Sequence, residues 1–168
     1  MRDPDYIADV ASQQVVYPSK PGNEIPEEVP ADFQADLVEA YIAVDYSPKA
    51  SAALSRRLLQ RVLREQLAIK RRDLSLEIDA FIETSGAPTY LTNAMDAVRT
   101  VGNFAAHPLK NTNTGEIVDV EEGEAQWLLD VLSSLFDFVF VQPKRLAARR
   151  EALNKKLAAA GKPALKGA

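Results

Sequence analysis

Arg99, Asn103 and His107 follow one another at four-residue intervals, and His107 is the single histidine of the 168-residue chain. On an ideal helix each is displaced by about 40° from the one before, so the three form a contiguous polar strip. An imidazole titrates near neutrality, whereas a neighbouring guanidinium stays charged. Such a pair suits proton transfer at a phosphate. His107 would act as general acid–base, and Arg99 would balance the charge that grows on the phosphoryl oxygens. Asn103 would orient a ribose hydroxyl or a phosphate oxygen. Gly102 and Ala106 sit beside the strip and let another backbone or a ligand come close. Pro108 biases His107 out of helical geometry, which puts it at a helix C-terminus where the dipole favours the protonated ring. A plainer reading stands beside this one: His107 caps a helix, and Arg99 pairs with Asp96 one turn back.

Helices must position these residues. Phe33, Leu37, Tyr41 and Val44 recur at helical spacing and predict a first helix from Ala31. Ser47-Pro48 is a start signal for a second, expected to reach about Ile69 with Leu54, Leu58, Val62 and Leu67 along its apolar side. Asp73 caps a third, with Leu74, Ile78, Phe81 and Ile82 inward and Ser85-Gly86 as its stop. Pro88 opens the fourth, which carries Leu91, Met95 and Val98 inward and the polar strip on another side. Residues 109–120 read as a polar loop with a short extended piece at Ile117-Val118. A strongly apolar fifth helix covers about 121–141, with Leu128, Leu132 and Leu135 as its stripe, and Pro143 is expected to break it.

The expected fold is therefore all-α: an antiparallel bundle of four to five main helices over residues 30–141. An extended arm, residues 1–29, precedes it, with Pro18, Pro21, Pro26 and Pro30 closely spaced and Val15-Val16-Tyr17 as an anchor. A basic amphipathic helix and tail, residues 142–168, follows. Charge divides along the same boundary: the tail holds eight Lys or Arg against one Glu, whereas residues 1–141 hold twelve basic against twenty-three acidic side chains. An acidic body argues against general DNA binding, and the tail alone could touch an acidic partner, nucleic acid or the protein's own body.

The chain has no cysteine. A disulfide framework, a thiolate zinc site and a cysteine nucleophile are thereby excluded, and a reducing, cytoplasmic setting is expected. No apolar run is long enough to span a membrane, and the N-terminus does not have the pattern of a secretory signal. Asp119, Glu121, Glu122 and Glu124 read as the usual acidic start of a helix, so neither a metal nor a cofactor is expected. Arg57, Arg61 and Arg64 share one side of the second helix and could contact phosphates of a nucleic acid. A solvated face partly paired with Glu65 is the alternative.

The stretch Arg99-x-x-Gly102-Asn103-x-x-Ala106-His107-Pro108, preceded by Ser55-Arg56-Arg57-Leu58-Leu59, resembles a bacterial family of HEPN-like domains (higher eukaryotes and prokaryotes nucleotide-binding). Members occur alone or attached to restriction-system subunits. The resemblance spans about residues 26–155 and includes Glu39-Ala40, Ser47-x-Lys49-Ala50 and Gln142-Pro143. It implies a helical bundle that forms a homodimer. In active HEPN members the Arg and His motifs of two protomers meet across a cleft and cleave RNA without metal, which would assign Arg99, Asn103 and His107 as catalytic. Arg99 and His107 enclose seven residues, more than the active pattern usually does. Two functions follow as expectations: a metal-independent endoribonuclease of a bacterial defence or toxin system, or a non-catalytic dimeric module that binds nucleic acid or a protein partner through the same groove.

Overall fold

The computed structural model describes residues 25–106, 109–110, 117–118, 120 and 122–166, with side chains described up to Arg99, at Val120 and from Gly123 onward. Residues 1–24 of the expected arm, with Val15, Val16 and Tyr17, lie outside these residues; its last part, from Ile25, lies on the bundle, with Val29 buried.

The first four helices each begin at a local signal. Pro30 precedes α1 (Ala31–Val44), whose Phe33, Leu37, Ala40 and Val44 face inward. Ser47 caps α2 (Pro48–Glu65), its hydroxyl accepting from the Ala50 N–H at 3.2 Å, and Pro48 occupies the first turn, where its missing donor costs nothing. Small residues Ser51, Ala52 and Ser55 bring α2 close to its neighbours, and the Ser51 hydroxyl donates to the Ala40 carbonyl at 2.8 Å. Asp73 caps α3 (Leu74–Thr84) by accepting from Leu76 N–H. Gly86, at φ +64°, provides the left-handed turn that ends it. Helix α4 (Thr89–Ala106) follows Pro88, whose carbonyl accepts from Leu91 and Thr92.

Leu109–Lys110 pairs antiparallel with Ile117–Val118, Leu109 opposite Val118. The extended piece expected at Ile117-Val118 thus has a partner in a segment read from sequence as loop. Helix α5 (Glu122–Phe136) then returns through the bundle. It packs on α1, α2 and α4, while α1 lies along α2 and α3 along α4. Leu37, Leu58, Val62, Phe81, Met95, Val98, Leu128, Leu132 and Leu135 are all buried, as the periodicity requires. Phe33 closes on Phe140 (5.2 Å between centroids) and Phe136 (6.3 Å), and Phe81 meets Phe138 edge to face.

Two boundaries differ from expectation. Helix α2 ends at Glu65, four residues before Ile69, because Ala68 adopts φ +55° and the Ile69 N–H closes a wide turn onto the Leu63 carbonyl. Pro143 does not stop the chain. Residues Asp137–Val141 widen into a π turn, and α6 (Gln142–Ala159) starts at once, with the Gln142 N–H bonded to the Asp137 carbonyl. The π turn hands the chain to a new helical start, so Pro143 falls in a first turn, where no donor is required of it.

None of the residues of α6 is buried. Its base is tied to the bundle by Lys144, which donates to the Glu28 carbonyl at 2.6 Å, and by Arg145, which grips the Glu28 carboxylate at 2.6 and 3.3 Å. That guanidinium holds the Glu28 carboxyl below its ordinary value and is itself raised by it.

Candidate functional site

Helix α4 presents Arg99 at the border of its buried face, one turn after Met95 and next to α3. Its Nη1 donates to Asp79 Oδ1 at 2.6 Å and its Nη2 to Asp96 Oδ1 at 2.7 Å. The pairing with Asp96 one turn back follows from helical spacing. The stronger constraint, Asp79, comes from α3, and Asp79 was not singled out from sequence. A signal for it existed: all three charged residues of α3 are acidic, and Asp79 and Glu83 share a face at i, i+4.

Between α3 and α4 lies an open groove of about 310 Å³ lined by Asp79, Ile82, Glu83, Asn93, Asp96 and Arg99. Three carboxylates against one guanidinium leave it at −2. A guanidinium carries five N–H donors, of which these bonds occupy two, and Arg99 is 39% exposed. The groove thus combines an oriented cation with an excess of fixed negative charge. Asn103 stands further along α4, but its side chain is not among those described, and His107 lies outside the described residues.

The three arginines expected on one side of α2 meet different surroundings. Arg61 bridges α1 and α2: it donates to Asp36 at 2.8 Å, to Glu65 at 3.1 Å and to Asp32, and its guanidinium lies 4.2 Å from the Phe33 ring centre. These carboxylates raise the Arg61 pKa, Asp36 most. Arg64 turns to α3, donating to Glu77 Oε1 at 2.5 Å. Arg57 is exposed. Arg56, next to it, is half-buried, and desolvation lowers its pKa.

Glu77 is fully buried on the core side of α3, a placement its sequence position among Leu74, Ile78 and Phe81 does not reveal as paired. It accepts from Arg64, from Gln60 Nε2 at 2.8 Å and from the Arg71 N–H at 3.1 Å, so one carboxylate latches α2, α3 and the segment between them. A second cavity, about 190 Å³, lies between α1 and the end of α5 and is lined by Ile25, Leu37, Tyr41, Ser133, Phe136 and Asp137. Tyr41 and Ser133 hydroxyls meet there at 3.2 Å, and Asp137 is engaged by Gln142. Among the described residues, no group of three or more His, Asp or Glu is arranged to hold a metal ion, and no helix is long and apolar enough to cross a membrane.

The model of one protein family, described as a domain of unknown function (DUF4145), matches residues 38–156. The chain belongs to this family. The match covers the bundle from α1 to α6, so the α3–α4 groove and the whole Arg99–His107 segment fall within the DUF4145 domain. No curated protein and no solved structure matches the chain.

Proposed function

We propose that this DUF4145 domain is a HEPN-like interaction module, homodimeric and non-catalytic, that takes a cationic protein partner in the groove between α3 and α4. One observation carries the reading: Arg99 is clasped by Asp79 and Asp96, with Glu83 on the same wall. A phosphate at Arg99 would share the groove with three carboxylates, and like charges in a partly desolvated groove oppose binding. A lysine or arginine from a partner meets the opposite field. Arg61 and Arg64 point the same way, since carboxylates already match their charge.

A second reading has its own support in the Arg99, Asn103, His107 spacing and in the Arg99 N–H donors that no described residue occupies. In it the domain is a metal-independent endoribonuclease of a bacterial defence or toxin system, acting in the cytoplasm. Arg99, Asn103 and His107 would be catalytic there, and of Arg57, Arg61 and Arg64 it is the exposed Arg57 that would hold RNA. Incubation with labelled RNA in chelator separates the two. The module leaves RNA intact at high protein concentration. Cleavage to 2′,3′-cyclic phosphate ends, abolished by His107→Ala and absent on DNA, which lacks the 2′-hydroxyl, would replace the module reading with the nuclease.

A further inference from the structure

Helix α6 leaves the bundle at the π turn and exposes along its length a surface that a lone helix in water has no reason to carry. Leu146, Leu153 and Leu157 fall within a stripe about 40° wide on a helix of 3.6 residues per turn. Leu146 is 59% and Leu153 46% exposed. Arg150 borders the stripe on one side and Arg145, Arg149 and Lys156 on the other. The helix holds six basic residues and one acidic. Beyond it Gly161, at φ +65°, turns the chain back, and Leu165 is held against the helix by a bond from its N–H to Asn154 Oδ1 at 2.9 Å. The result is an amphipathic docking element: leucines in the middle, cations at both edges.

The bundle offers a surface of the opposite kind. Helix α3 carries three acidic residues and no basic one. The partly buried Ile82 lines the adjoining groove with Asp79, Glu83 and Asp96, and Leu76, 42% exposed, stands one turn before Asp79 on the same helix. Apolar centre meets apolar centre, and cationic edges meet anionic edges. Nucleic acid would satisfy the arginines of α6 but leave its leucines in water.

We propose that α6 of one protomer lies across the α3–α4 groove of a second copy of this chain, and that the second copy's α6 returns the contact. This reciprocal exchange names the partner of the module reading above and rests on it. It is a two-fold arrangement and closes on itself. The partner's cations then neutralise the groove's excess charge around Arg99.

Light scattering on the full chain tests it. The wild type should run at twice the 18.4 kDa chain mass and dissociate as salt screens the edge charges. Arg149→Glu/Lys156→Glu, on the exposed helix, and Glu83→Lys, in the groove, should each weaken association roughly tenfold or more. Mixed together, the two variants should dimerise again, because one interface is then native and the other sets the acidic substitutions of α6 against a groove that has lost its negative excess and gained a positive charge at position 83. The chain has no cysteine, so a Glu83→Cys/Leu153→Cys variant reports the contact directly, through interchain cross-linking by a short thiol reagent. Dimers that survive the α6 charge reversal, or the absence of a cross-link, would overturn the exchange and leave the module reading standing. A wild type monomeric at high micromolar concentration would overturn both. Association abolished by nuclease would show that α6 binds nucleic acid instead.

Discussion

Replacing Glu77 by alanine should cost the domain about 3 kcal/mol. The carboxylate is fully buried and accepts from Arg64, Gln60 and the Arg71 N–H at 2.5, 2.8 and 3.1 Å. Breaking a buried ion pair by deleting one partner costs about 3–5 kcal/mol when the remaining charge is trapped. Arg64 is 39% exposed and can turn toward water, which removes most of that penalty. The Gln60 amide and the Arg71 N–H are less free, and each unmet donor costs about 1 kcal/mol. The cavity left by the missing side-chain atoms adds about 1 kcal/mol more. For a chain of this size the sum corresponds to a melting temperature lower by about 6–12 °C. Glu77→Gln keeps the shape but offers one oxygen to three converging donors and turns its own N–H₂ toward them, so it should fall between wild type and alanine. Urea unfolding of both variants and of Arg64→Ala/Glu77→Ala provides the test. A cost below about 1 kcal/mol for Glu77→Ala, or strict additivity with Arg64→Ala, would refute the latch.

Two smaller expectations follow from the helix termini and the surface carboxylates. Ser47→Ala removes the acceptor of the Ala50 N–H and should lower stability by about 1 kcal/mol, read from the urea midpoint with unchanged slope. Glu28, Asp32 and Asp73 are all held below their ordinary values, by Arg145, by Arg61 and by the Leu76 N–H respectively. Their folded forms therefore bind protons less readily than the unfolded chain, so their contribution is complete above the ordinary values of 4.5 and 3.8 and is lost as pH falls through the lowered ones. Thermal melts should show stability declining from about pH 4.5 downward, and Asp73→Asn, which still caps, should flatten part of that decline.

The starts of α1, α2 and α3 follow from local residues, because a cap or a proline acts within one turn of itself: Ser47-Pro48, Asp73 and Pro30 are legible without any knowledge of the fold. The core follows from sequence as well, since Leu58, Val62, Phe81, Met95 and Leu132 repeat at helical spacing and that spacing admits one buried side. Of the site, so does the near half of Arg99's environment, because Asp96 lies one turn away. The pairings between helices, by contrast, depend on how the helices pack. Asp79 is twenty residues from Arg99, Glu77 thirteen from Arg64, and Asp36 twenty-five from Arg61. No local rule tells these arginines which carboxylate to meet, or whether to meet a phosphate instead. The packing of α3 on α4, of α2 on α3 and of α1 on α2 made that choice. Pro143 shows the same limit from the other direction. Read locally it separates two helices, but Asp137–Val141, with Phe140 and Val141 buried, form a π turn that joins α5 to α6 without a break.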